Sequence, residues 1–165
     1  MDRSSRSAIR LRDVAENDLP IFFEQQLDPV AAQMAAFPSR DRPAFMTHWA
    51  KILADTTVIA QAILLDGQVA GNIVSFKISD EREVGYWIGR QYWGNGVATA
   101  ALTAFLEHVQ ARPLYAHVAK HNRGSLRVLQ KCGFTIIGED SGAPDASGQP
   151  VDEYMLKLSP SEQHR

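Results

Sequence analysis

Residues 57–65, TVIAQAILL, and residues 68–78, QVAGNIVSFKI, are two apolar runs separated by Asp66-Gly67 alone. An Asp-Gly pair readily takes the left-handed backbone of a two-residue turn, so this spacing predicts an antiparallel hairpin. A third run, EVGYWIG at 83–89, follows closely and extends the hairpin to a three-strand meander. A chain that commits three consecutive strands to one sheet must cover both faces with what lies before and after them.

Before the meander, residues 8–14, AIRLRDV, alternate apolar and polar and read as a strand. Asn17 and Asp18 offer caps to a helix with Pro20 in its first turn, running through IFFEQQL. DPVAAQMAAF reads as a short further helical segment. SRDRP then supplies a cap and a proline for AFMTHWAKILA.

After the meander, Ala98, Ala101, Leu102, Phe105, Leu106 and Val109 form one apolar stripe at helical spacing, which Pro113 is expected to close. LYAHVA at 114–119 is a strand. A second helix follows Asn122, with Ser125, Val128, Leu129 and Cys132 on one face and Gly133 at its exit. FTIIGE and DEYMLKL are the last strands. The intervening 139–151, rich in Gly, Pro, Ser and Asp, reads as a loop. The element order gives an α+β class: one mixed sheet with helices on both faces.

The chain has 165 residues, the length of a single domain, with a core expected over about 8–158 and a tail at 159–165. A formal net charge of -2 leaves no footprint for sequence-independent nucleic-acid binding. The single cysteine, Cys132, excludes an intrachain disulfide and a CxxC metal site, and no metal is expected. The N-terminal stretch lacks the apolar segment of a secretory signal, and VIAQAILL is far too short to cross a bilayer. The expectation is a cytoplasmic protein without membrane partners, whose exposed sheet edges could pair into a homodimer.

The junction YWGNGVATAAL, residues 92–102, places Gly94 and Gly96 directly ahead of an alanine-rich helix. The first N–H groups of a helix have no partner within it and carry partial positive charge. Glycine at that mouth lets a bulky anion reach them, a phosphate-binding geometry made from main chain. A tight strand–helix turn is the rival reading. A P-loop is excluded because Val97 and Ala98 stand where Lys and Ser/Thr would be, and a dinucleotide fingerprint lacks its third glycine.

A second constellation, NRGSLRVLQKCGF, has Asn122 and Ser125 at a helix start and Gly133-Phe134 at its end. With EVGYWIGRQYWGNGVATAAL it resembles the GCN5-related N-acetyltransferase (GNAT) family, and within it the RimJ/RimL-like branch of ribosomal-protein N-terminal alanine acetyltransferases. The resemblance covers about 8–158 and is sharpest over 83–138. Two departures stand out. In the register Trp93-x-x-Gly96-x-Ala98, Trp93 replaces the family's Gln or Arg, and Ala100 stands where the branch commonly carries a glutamate.

The resemblance implies a single-domain GNAT-like fold with a central, mixed, mostly antiparallel seven-stranded sheet. It also implies acetyl-CoA as acetyl donor, with transfer to a primary amine by direct attack in a ternary complex. The acceptor would be a protein N-terminus or a small-molecule amine. Pyrophosphate would sit on the N–H groups of Trp93, Gly94, Asn95, Gly96, Val97 and Ala98. Pantetheine would follow Ile88 and Gly89, Asn122 would bind pantetheine or the acetyl region, and Ser125 would hydrogen-bond the sulfur.

An ammonium acceptor must lose a proton, and Glu83 is the leading base. Strand alternation places it with Gly85 and Trp87. His117 is the rival base, and Tyr86 is expected to line the substrate groove. Cys132 reads as a small core residue rather than a nucleophile. The alternative function is a non-catalytic acyl-CoA-binding or sensing module on the same fold.

Overall fold

A computed structural model describes residues 8–36, 38–144 and 148–160. Among these described residues, seven strands form one sheet: β1 (Ile9–Asp13), β2 (Ile59–Leu65), β3 (Gln68–Ile78), β4 (Glu81–Ile88), β5 (Leu114–Ala119), β6 (Thr135–Pro144) and β7 (Pro150–Leu158). Five helices accompany them: α1 (Leu19–Leu27), α2 (Pro29–Ala35), α3 (Arg42–Ala54), α4 (Val97–His108) and α5 (Arg123–Lys131). The sheet order is β1-β2-β3-β4-β5-β7-β6. Every neighbouring pair is antiparallel except β4 and β5.

The Asp66-Gly67 hairpin forms as its sequence dictates, with both turn residues at positive φ, 51° and 84°. Alternation then assigns the faces. Ile63, Ile73, Val84, Ile88, Leu114 and Leu156 pack with Leu102, Phe105, Leu129 and Phe134 under α4 and α5. On the opposite face Leu19, Phe22 and Phe23 of α1 and Phe45 and Trp49 of α3 pack against Ala62. The Phe22 and Trp49 rings lie 5.1 Å apart, so this second core is largely aromatic.

The parallel pair decides where a site can form. β4 and β5 are paired only at Arg82↔Leu114 and Glu83↔Tyr115. Their ladder stops there, while β4 stays paired with β3 as far as Ile88. The second half of β4 thus has a neighbour on one side only.

Several boundaries differ from the sequence expectation. Asp18 does not cap α1; its carboxylate takes both Arg12 guanidinium nitrogens, at 2.7 and 2.8 Å, and the Ala15 N–H. The stripe helix α4 ends at His108, ahead of Pro113. Its last carbonyls are taken by the Gln110 side chain, at Glu107, and by the Arg112 side chain, at Leu106 and Val109. Asp28 and Asp41 do cap, accepting from the N–H groups of Ala31 and Ala44.

The expected loop at 139–151 is mostly strand. β6 continues to Pro144, with Glu139, Asp140 and Ser141 opposite Tyr154, Glu153 and Asp152. An edge strand tolerates this polar, glycine-containing composition because only one side is paired. Gly142 lies against the end of the Glu153 side chain, whose carboxyl carbon would be 2.6 Å from a Cβ there and would turn aside. Residues 145–147 lie outside the described part. Among the described residues, no helix is long and apolar enough to cross a membrane.

Candidate active site

The chain leaves β4 through a tightly bonded connection. The Gly89 N–H donates to the Ala70 carbonyl at 2.8 Å, and the Gly89 carbonyl accepts from Tyr92 N–H at 2.9 Å. A single 3-10 turn over Arg90–Tyr92 follows. The Trp93 indole N–H then reaches back to the Ile88 carbonyl, 2.8 Å away. This anchors the loop to the strand it has just left.

Gly94 and Gly96 have φ values of 82° and 73°, left-handed backbone that a side chain strains. A Cβ at either would meet no protein atom within 4 Å, so backbone geometry rather than crowding calls for glycine. Gly96 is the residue before α4, and the first bond closing that helix runs from Ala100 N–H to its carbonyl. Among the described residues no side chain caps the helix. The N–H groups of its first turn therefore stay open toward the cleft that Gly94, Gly96, Val97, Ala98 and Thr99 line.

That cleft has a volume of about 670 Å³. It runs from the α4 mouth along Tyr86, Trp87 and Ile88 to Asn122 and Ser125 at the start of α5, with Ala31, Met34 and Ala35 of α2 as one wall. His121, beside α5, donates from Nε2 to the Gln33 carbonyl at 2.8 Å and ties that wall in place. Asn122 does cap α5, its Oδ1 accepting from Ser125 N–H at 3.2 Å.

Most residues expected at the donor site therefore converge. Ile88, Trp93, Gly94, Gly96, Val97, Ala98, Asn122 and Ser125 all border the cleft. Gly89 and Asn95 do not. Gly89 has both main-chain groups engaged, and the Asn95 amide turns back to the Tyr92 carbonyl at 3.4 Å. Three cations escaped the sequence reading: Arg123, Arg127 and Lys131 border the cleft at successive four-residue steps of α5. The signal was present as an i, i+4, i+8 stripe, hidden by the overall balance of charge.

Tyr86, expected to line the substrate groove, packs on the α4/α5 core, and its hydroxyl is 2.7 Å from Ser125 Oγ, inside the cleft. Burial pushes its phenol up to about 12, with the Ser125 bond opposing the shift. Glu83 and His117 occupy the other face of the sheet. Glu83 is buried, and His117 Nδ1 is 3.1 Å from its Oε1. Glu153 stands near enough for His117 and Glu83 to act on its charge; burial is the larger influence and raises its carboxyl. Cys132 is partly buried beside Thr103 Oγ1, 3.7 Å away.

An open helix mouth that leads into a cleft along a split sheet suits an elongated anionic ligand, with the bonded Glu83 and His117 on the sheet's far side. Residues 8–135 match the acetyltransferase (GNAT) domain, and the chain belongs to this family of acetyltransferases. It is 28% identical over 124 residues to the provisionally named ribosomal N-acetyltransferase YdaF of Bacillus subtilis (strain 168), covering 71% of this chain and 68% of that one. Two solved structures share the fold. Spermidine N-acetyltransferase from Vibrio cholerae, in complex with CoA and spermine, superposes with a TM-score of 0.79 at 16% identity, covering 92% of this chain and 95% of that one. Mycobacterium smegmatis RimJ, in complex with CoA-disulfide, gives 0.78 at 22% identity, covering 92% and 81%.

Proposed function

We propose that this protein transfers the acetyl group of acetyl-CoA to a primary amine by direct attack in a ternary complex. The observation that carries the reading is the uncapped α4 mouth behind Gly94 and Gly96, opening into a cleft that ends at Ser125. The pyrophosphate accepts hydrogen bonds from the N–H groups of the α4 mouth, and Arg123, Arg127 and Lys131 face the remaining phosphate charge. The pantetheine follows the half-paired end of β4 toward Ser125. Ile88 offers less main chain than expected there, since its carbonyl already accepts from Trp93.

The acceptor enters from the opposite face, where Glu83 takes the ammonium proton, directly or through a water molecule. His117 holds the Glu83 carboxylate by donating from Nδ1. The free amine attacks the thioester carbonyl, the carbon–nitrogen bond forms, and the carbon–sulfur bond breaks with its electron pair on sulfur; the proton shed by the attacking nitrogen passes to the thiolate, which leaves as free CoA thiol. Ser125 hydrogen-bonds that sulfur.

The test is release of free CoA thiol from acetyl-CoA in the presence of candidate amines: polyamines, and peptides with free N-termini. Amine-dependent release that Glu83→Gln suppresses supports the reading. Tight acetyl-CoA binding with no turnover on any amine would favour a sensing module instead.

A further inference from the structure

We infer that Tyr86 is a positioning residue for the departing thiolate: its hydroxyl donates to Ser125 Oγ and thereby directs the Ser125 proton into the cleft. The inference rests on the acetyl-CoA reading above and assigns to the leaving-group side a residue that sequence placed with the acceptor.

The geometry begins with the 2.7 Å contact between Tyr86 Oη and Ser125 Oγ. Two hydroxyls at this distance share one proton along their axis, and either could supply it. The surroundings choose. The described partner of the Tyr86 hydroxyl is Ser125, and the ring packs into the core beneath α4 and α5. A phenol is the more acidic hydroxyl and the stronger donor, and an aliphatic hydroxyl is the stronger acceptor. Tyr86 therefore gives its proton to Ser125 Oγ, and the Ser125 O–H, at the cleft wall, remains free to turn toward a ligand.

The backbone fixes both ends. Ser125 sits in the first turn of α5, its N–H held by Asn122 Oδ1. Tyr86 sits where β4 is still paired with β3, opposite Ile73, but no longer with β5. The phenol is thus delivered into the cleft by the same divergence that opens it. Its high pKa keeps it protonated, and so a donor, throughout the neutral range. In the reaction the electron pair of the breaking carbon–sulfur bond goes to sulfur. The Ser125 hydrogen bond that stabilises this charge is stronger because Ser125 itself accepts one.

The test needs no acceptor. Calorimetry measures the affinity of CoA and of desulfo-CoA, which lacks the thiol, from neutral to alkaline pH. The preference for CoA reports stabilisation of the thiolate. Tyr92, His121, Arg123, Arg127, Lys131 and Cys132 also border or neighbour the site and act on the thiolate, but they do so alike in wild type and in the variants, so the change between proteins isolates Tyr86 and Ser125. The wild-type preference should rise as the thiol ionises. Tyr86→Phe should reduce it severalfold, up to about tenfold, the worth of one hydrogen bond between neutral groups. Ser125→Ala should abolish it, and the double variant should lose no more than Ser125→Ala.

A Tyr86→Phe protein with undiminished preference would overturn the inference, as would a Ser125→Ala protein that keeps it. Failure of wild type to bind either ligand would instead remove the acetyl-CoA reading. A fluorinated tyrosine at position 86, a stronger donor of nearly the same shape, tests the idea without loss of packing. It should increase the preference; no increase counts against the proposal.

Discussion

The indole N–H of Trp93 donates to the main-chain carbonyl of Ile88 across 2.8 Å, joining the glycine loop to the last residue of β4. The bond accounts physically for a tryptophan at the head of Trp93-x-x-Gly96. A glutamine or arginine there could also reach a carbonyl, but the planar indole covers the loop while remaining 39% exposed to the cleft and solvent. Replacing Trp93 by Phe keeps most of that cover and removes the bond. We expect acetyl-CoA affinity to fall about tenfold and folding stability to change by less than about 1 kcal/mol. Calorimetry beside denaturant unfolding separates the two effects.

Gly96→Val should also uncouple binding from folding. The φ of 73° costs a β-branched residue about 1–2 kcal/mol, yet its Cβ meets no protein atom. The protein should remain folded with a lower melting temperature. Its side chain would project from the mouth of α4, so acetyl-CoA binding should be lost. Binding that survived unchanged would show that the open N–H groups of α4 do not hold the phosphates.

Glu83→Gln keeps an acceptor for His117 Nδ1 and removes the carboxylate proposed as base. The rate of amine acetylation should fall by about 10²–10⁴-fold, the range for losing a positioned general base. Affinity for acetyl-CoA should not move, because Glu83 lies on the face away from the cleft. His117→Gln should cost less, since it disturbs only the hold on the carboxylate. Steady-state kinetics of thiol release check both, and equal losses in the two variants would shift the base role toward His117.

Asp18 makes a prediction about stability rather than activity. It is buried, bridged by both nitrogens of a half-exposed Arg12, and bonded to the Ala15 N–H. The Arg12 hydrogen bonds hold its carboxyl below the usual range, with burial opposing them. A depressed folded-state pKa adds stability above the unfolded value of about 3.9, and that stability is lost as pH falls through the folded value. Asp18→Asn should therefore cost about 2 kcal/mol at neutral pH, a figure discounted for the exposure of Arg12. The gap from wild type should narrow below about pH 4 in denaturant unfolding.

Local signals carried most of the architecture. Asp66-Gly67 announced its hairpin because the turn conformation belongs to those two residues. The Gly94–Gly96 pair announced an open helix mouth for the same reason. Signals that depend on partners were weaker. Asp18 looked like a cap, and only the approach of Arg12 from β1 reveals why its carboxylate serves elsewhere. Glu139 to Pro144 looked like loop, because composition cannot show that β7 lies alongside.

The site follows the same division. Alternation along β4 separates Glu83 and Trp87 from Tyr86, but which face carries the donor is decided by where α4 and α5 pack. Alternation alone could not show that Tyr86, expected in the substrate groove, has its hydroxyl beside Ser125 in the cleft. The stripe of Arg123, Arg127 and Lys131 gains its meaning only once α5 is known to border the cleft, and a net charge of -2 conceals it.

The most direct test of the central claim is calorimetric titration of the purified protein with acetyl-CoA, beside dephospho-CoA and ATP. The α4 mouth and the α5 cations predict saturable binding of acetyl-CoA, weaker binding of dephospho-CoA, and little of ATP, which lacks the pantetheine that follows β4. No binding of acetyl-CoA at millimolar concentration would contradict the account, leaving Gly94 and Gly96 as a turn between a strand and a helix.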